Sequence, residues 1–264
     1  MQEKQILRKF KEVVGQYCAI NQFVELTKRC FISEHQEEIA NRDSFISLAT
    51  RYSVALTSYD SAAMVSLISK SYIVNIHLCF ETFLKEVCTL ARKYGQGNFT
   101  EKTKELSWLA CAVNNIIRTK LPDDMQALFD LCEYYRLVRN SAVHDLCDID
   151  EHTQDFNRLK KHDYKTDAKF KRLEAPNAYD QISFDDFVMF ARSSIELATY
   201  LFESIEYDYE KIVVAAPKST QSKWRKYVEQ RRCDAIRRYV EYNFRIDASF
   251  EAQLPDLSRL FTAQ

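Results

Sequence analysis

"YIVNIHLCFETFLKEVCTLA", residues 72–91, decides the fold. Ile76, Phe80, Phe83, Leu84, Val87 and Leu90 recur three and four positions apart, which gathers apolar side chains on one face of a helix. Met64, Leu67 and Ile68 carry the stripe upstream, so the spacing predicts one long helix over about 61–94. "YGQGN" stops it, with Gly95 and Gly97 supplying a cap and a loop. Such a helix needs other elements to cover its stripe. Only three glycines and four prolines occur in 264 residues, too few for turn-rich β architecture. The fold class is therefore all-α.

Further helices are expected over 2–31, 34–58, 101–119, from Pro122 to about 144, 183–209 and 219–245. Asp123 and Asp124 suit the positive end of the helix that follows Pro122, whose stripe is Leu128, Leu131, Tyr135, Val138 and Ala142. Ser183 with Asp186 reads as a capping box with Asp in place of Glu, and Phe187, Phe190, Ile195, Ala198, Leu201, Phe202 and Ile205 form the stripe behind it. Residues 145–181 lose periodicity and become charged, which reads as a long loop or a pair of short helices.

The chain is long enough for one large domain or two small ones. Lysine and arginine number 37 against 38 acidic residues, and 46% of residues are hydrophobic. That balance belongs to a soluble globular protein and gives no global attraction to nucleic acid or membrane. No apolar run approaches the roughly 20 residues of a span, so no membrane contact is expected. "MQEKQILRKFKEVV" is too charged for a secretory signal. Eight cysteines are scattered with no C-x-x-C pair and read as reduced thiols. A cytoplasmic location follows.

Chemistry concentrates in "EYYRLVRNSAVHDLCDIDEH", residues 133–152. On a helix, positions four apart lie about 40° apart and positions five apart about 140°. Arg136, Asn140 and His144 therefore share a face, whereas Arg139 and His144 diverge. Either the helix distorts near His144, or the two meet across an interface with another copy of the chain.

Arg139, Asn140 and His144 in "RNSAVH" resemble the R-x4-6-H motif of the HEPN superfamily, and the long helix with its embedded Glu81 is similar to that family's long helix. The resemblance covers about 60–210. It implies an all-α HEPN-like helical bundle with extra elements at both ends: an N-terminal extension over 1–60, the bundle over 61–210, and a basic C-terminal helix within 211–264. It also implies a homodimer that cuts RNA without a metal or other cofactor, in a toxin–antitoxin or phage-defence setting with an antitoxin or defence-system partner. Leu146 stands where some relatives carry a modifiable tyrosine, so control by that modification is not expected.

The residue types fit that chemistry. Histidine suits proton transfer from the ribose 2′-OH and to the leaving 5′-oxygen, and an arginine fork suits the phosphorane oxygens. Arg139, His144 and Asn140 are the catalytic candidates. Arg136, Glu81, Lys160 and Lys161 are the candidates for substrate contact, Arg136 alternatively pairing with Glu133. The tail carrying Lys223, Arg225, Lys226, Arg231, Arg232, Arg237 and Arg238 among aromatic residues is a further candidate RNA surface.

The same residues admit competing readings. The 139–144 pair is alternatively a solvated helix end, where histidine is favoured by the dipole. Arg29 and His35 also satisfy the spacing, without the asparagine. His144, Asp145, Cys147, Asp148, Asp150, Glu151 and His152 invite a metal reading but match no ligand spacing, and no metal site is expected. A non-catalytic HEPN-like protein that binds RNA or a partner is the alternative function.

Overall fold

A computed structural model describes residues 3–56, 60–144, 149–246 and 248–262; of residues 3, 4, 61, 62, 144 and 149–151 it describes the backbone alone. Among the described residues every regular element is helical. In chain order they are α1 (Glu3–Glu34), α2 (Gln36–Ala40), α3 (Arg42–Arg51), α4 (Ser61–Tyr94), α5 (Trp108–Ile116), α6 (Asp123–His144), α7 (Ile149–Leu159), a 3₁₀ turn (Tyr179–Gln181), α8 (Phe184–Glu203), α9 (Tyr209–Val214), α10 (Lys218–Arg225), α11 (Glu229–Asn243) and α12 (Ala248–Arg259).

Local chemistry sets several boundaries. α4 stops where expected: the Gly95 N–H donates to the Ala91 carbonyl at 2.8 Å. A β-carbon at 95 would sit 2.5 Å from that oxygen, so glycine is required there. α8 opens on the expected capping box, with Asp186 accepting from the Ser183 N–H at 2.8 Å and Ser183 Oγ accepting from the Asp185 N–H at 3.2 Å.

Other boundaries differ from the sequence expectation. The helix expected over 34–58 is two helices, because the Asn41 side chain accepts from the Ser44 N–H and starts α3 afresh. α5 begins at Trp108 rather than near 101. Ser107 caps it through the Ala110 N–H, while the Asn115 side chain holds both the N–H and the carbonyl of Thr100. The helix expected over 219–245 divides into α10 and α11, and α7 occupies part of 145–181.

The break after α10 has a specific cause. Arg232, only 6% exposed, donates to the carbonyls of Trp224 at 3.1 Å, Tyr227 at 2.8 Å and Ser258 at 3.2 Å. One guanidinium thus satisfies carbonyls at the end of α10 that a continuous helix would have bonded internally.

Packing groups the chain into two units built from separated segments: residues 1–11, 80–121 and 198–264 form one, and 12–79 with 122–197 the other. α1, α4 and α8 each contribute residues to both. In the first unit Phe10 lies 4.7 Å from Phe83 and 6.0 Å from Phe80 between ring centres, and Leu84, Val87, Leu109 and Leu201 of the same unit are buried. In the second, Tyr135 lies 5.1 Å from Phe190, among buried Ile73, Ile76, Leu131, Val138 and Phe187.

The stripes of α4, α6 and α8 are largely the buried ones expected. Leu67 is the exception, at 58% exposure. α4 also corrects one expectation: Ala63–Tyr94 is long and apolar enough to cross a membrane by length and composition. Its buried positions Ile73, Ile76, Phe80, Phe83, Leu84 and Val87 are core residues of the protein itself. The seven described cysteines are free thiols, and Cys79, Cys88, Cys111 and Cys132 are buried. Burial, with Cys111 beside it, pushes Cys88 up to about 12.

Candidate functional site

α6 holds Arg136, Arg139 and Asn140 in its last three turns and remains α-helical up to His144, its final residue. Backbone distortion before His144 is therefore not how the pair would meet. The 140° divergence of positions 139 and 144 stands along this helix. The side chain of His144 lies outside the described residues.

The apolar face of α6 is fixed from behind. Tyr135 Oη donates to Asp186 Oδ1 at 2.9 Å and Tyr134 Oη to the Asn177 carbonyl at 2.6 Å. Burial drives both phenols well above their ordinary pKa, with Asp186 adding to the effect, so they remain donors. Asp186 is fully buried and also accepts from the Asn177 N–H and Asn177 Nδ2, each at 2.8 Å, and from Ser183 Oγ at 3.0 Å. This buried acceptor joins α6, the 174–183 segment and α8.

On the polar face Arg136 Nε pairs with Glu133 Oε2 at 2.8 Å, the local pairing weighed above. Arg139 Nη1 donates to Asn140 Oδ1 at 3.0 Å, so these neighbours orient one another. Both are part-buried. Glu81 belongs to the other packing unit and pairs with Lys85 Nζ at 2.5 Å. Lys160 and Lys161 follow α7 and are exposed; Lys160 Nζ lies 5.2 Å from the centre of the Phe156 ring.

The sequence reading missed a cluster beneath the end of α6. Ser141 Oγ and His152 Nε2 share a hydrogen bond of 2.5 Å, with His152 only 4% exposed. The His152 ring stacks on Tyr179 at 4.4 Å and 16°, and Lys70 Nζ lies 3.8 Å from the Tyr179 ring centre. Desolvation lowers the Lys70 pKa, opposed by Asp180. His152, grouped above with possible metal ligands, is thus an interior hydrogen-bonding and stacking residue. The available signal was His152, Phe156 and Leu159 at helical spacing, a short stripe that opens on a polar residue.

Among the described residues no three His, Cys, Asp or Glu groups are placed to hold a metal ion. Asp145, Cys147 and Asp148 lie outside the described residues, as do the side chains of Asp150 and Glu151. At the second occurrence of the spacing, Arg29 pairs with Glu25 at 2.8 Å and His35 with Glu38 at 3.5 Å. The basic tail is partly spent internally: Arg232 caps α10, and Arg237 pairs with Glu251 at 2.8 Å.

Comparison with known proteins finds no matching family model, no matching curated protein and no matching solved structure.

Proposed function

We propose that this protein is a metal-independent endoribonuclease of the HEPN type, working as a homodimer in which Arg139 and His144 of two copies share one cleft. The observation that carries this reading is the course of α6, which presents Arg139 and Asn140 and continues unbroken to His144. Side chains that diverge by about 140° on one helix act together most simply when two such helix ends face each other.

In this reading His144 takes the 2′-OH proton and returns a proton to the leaving 5′-oxygen. Arg139, oriented by Asn140, binds the phosphorane oxygens, and Arg136 adds positive charge beside them. The products are a 2′,3′-cyclic phosphate and a 5′-hydroxyl. A toxin or phage-defence role, with an antitoxin or defence-system partner, belongs to the same proposal and rests on the motif resemblance.

One observation favours a non-catalytic, RNA- or partner-binding reading: Arg136 and Arg139 are already engaged by Glu133 and Asn140. Incubating purified protein with RNA in EDTA separates the two. The nuclease reading expects cutting that persists in EDTA and is lost in His144→Ala while the dimer and the helical fold remain. Cutting that survives both Arg139→Ala and His144→Ala overturns it. Salt-sensitive binding without cleavage selects the non-catalytic reading.

A further inference from the structure

A groove of about 860 Å³ lies within the second unit, walled by the latter part of α1, by α2 and α3, by the start of α4 and by residues 180–182. α1 turns one face to it through Phe23, Val24, Thr27 and Phe31, a run of about 12 Å along the helix axis. Ile39, Phe45, Met64 and Val65 supply apolar surface from the other helices.

This lining is open to solvent. Phe23 is 69% exposed, Val24 and Val65 are each 38% exposed, and Ile20, one turn before Phe23 on α1, is 54% exposed. Exposed apolar surface gathered in one place marks a site of protein contact. A small ligand is usually enclosed over roughly 70–90% of its surface, which walls this exposed do not provide. A helix laid along the groove fits better, because anchors at i, i+4 and i+7 span about 10.5 Å. Met64 adds an unbranched side chain that adapts to the shape laid against it.

Charge selects among helical partners. Glu34, one turn after Phe31 on the same face of α1, is exposed, as are Asp60 at the start of α4 and the wall residue Asp180. Lys70 offsets part of the Asp180 charge. Lys28, the basic wall residue, is neutralised by Glu25 at 2.5 Å, which leaves the exposed Arg42, one turn before Phe45, as the opposing base.

We propose that this groove docks a basic amphipathic helix of a partner protein, its apolar face on the α1 and α4 walls and its lysines or arginines toward Glu34, Asp60 and Asp180. A second copy of the chain would bring the same carboxylates against one another, and an anionic bilayer would repel them, so neither matches the rim as a basic helix does. The inference is independent of strand cleavage.

The test is a binding measurement on the full chain by fluorescence anisotropy and far-UV circular dichroism. Its probes are labelled peptides of about 18 residues, or five helical turns. One has leucine anchors and a Lys/Arg polar face, one carries Glu in place of the basic residues, and one scrambles the basic peptide so that its apolar face is lost. Phe23→Ala with Val24→Ala removes apolar surface, and Glu34→Gln with Asp180→Asn removes charge. All four positions are exposed, and both variants are first checked for cooperative unfolding.

The basic amphipathic peptide should saturate one site and gain helicity, weakened on the order of tenfold by the apolar variant. At low salt the acidic peptide should bind about tenfold less tightly, a preference that shrinks as salt rises and in the charge variant. Equal binding of the scrambled or acidic peptide, or binding unchanged in the apolar variant, overturns the proposal. Absence of peptide binding also overturns it. Uptake of a long-chain fatty acid would then assign the groove to an aliphatic ligand, and self-association abolished by Phe23→Ala with Val24→Ala would assign it to a second copy.

Discussion

Replacing Asp186 with alanine should cost the second unit a large share of its stability, although its hydrogen bonds go to Tyr135, Asn177 and Ser183 and not to the motif residues. Its fully buried carboxylate receives five hydrogen bonds: Tyr135 Oη, the Asn177 N–H, Asn177 Nδ2, the Ser183 N–H and Ser183 Oγ, all between 2.8 and 3.0 Å. Alanine strands the Tyr135 hydroxyl, itself wholly buried, and removes half of the α8 capping box. A buried donor left without an acceptor costs about 1–3 kcal/mol, and loss of a cap about 1 kcal/mol. Asn177 and Ser183 are only part-buried, so water restores some of their bonds. The expected loss is about 4 kcal/mol, within the range for breaking a buried charged network. Against a typical total of about 5–15 kcal/mol, that lowers Tm by roughly 8–16 °C.

Two companion variants sharpen the expectation. Tyr135→Phe removes one donor and leaves Asp186 four others, so it should cost about 1 kcal/mol. Asp186→Asn should not rescue, because each carboxylate oxygen accepts at least two donors and an NH₂ group in either place would face donors. Urea unfolding followed by far-UV circular dichroism, with linear extrapolation, reads all three. The reasoning fails if Asp186→Ala lies within about 1 kcal/mol of wild type at unchanged m-value, or if Tyr135→Phe costs as much as Asp186→Ala.

Arg232→Lys keeps the charge but cannot reach three carbonyls at once. It should cost on the order of 2 kcal/mol and expose the 226–228 junction to proteases, and unchanged cleavage there would count against the capping role. Glu25 is 7% exposed and pairs with Lys28 at 2.5 Å and Arg29 at 2.8 Å. Burial works to raise its pKa, but hydrogen bonds and charge from Lys28 and Arg29 outweigh it and hold the carboxyl below its ordinary value. Its contribution should therefore be complete above the ordinary carboxylate range of about 4.3 and disappear as pH falls through the lowered folded value. Glu25→Gln should be less stable than wild type by on the order of 1 kcal/mol at neutral pH, with the gap closing as the solution is acidified below the ordinary carboxylate range; a gap that widens in acid would refute the assignment.

Much of the architecture was legible wherever short-range pattern governs. The α4 stripe needed only its own spacing, and its stop needed only Gly95. The capping box needed only Ser183 and Asp186, three positions apart. Elements fixed by distant partners were not legible. Arg232 reads as one more charge in a basic helix, yet it ends α10 through carbonyls eight positions behind it and 26 ahead. Asn115 reads as a polar helix residue, yet it holds Thr100 out of α5. Side chains that satisfy remote backbone groups leave no periodic trace, so the sequence overestimates helix length at those places.

The candidate site divides along the same line. Arg136, Arg139 and Asn140 were found because neighbouring residues on one helix form the motif, and their bonds to Glu133 and to each other stay within it. Ser141, His152, Tyr179 and Lys70 come from three separated stretches, and only folding places them together. The cluster bears on the proposed chemistry through geometry. With Ser141 bonded to His152 and Tyr135 bonded to Asp186, the end of α6 is held on two sides, three and nine positions before His144. An end held in this way does not readily turn Arg139 toward the His144 of its own chain. In the proposed reading the second residue comes from a second chain, so mixing Arg139→Ala with His144→Ala protein should restore cutting that neither variant shows alone.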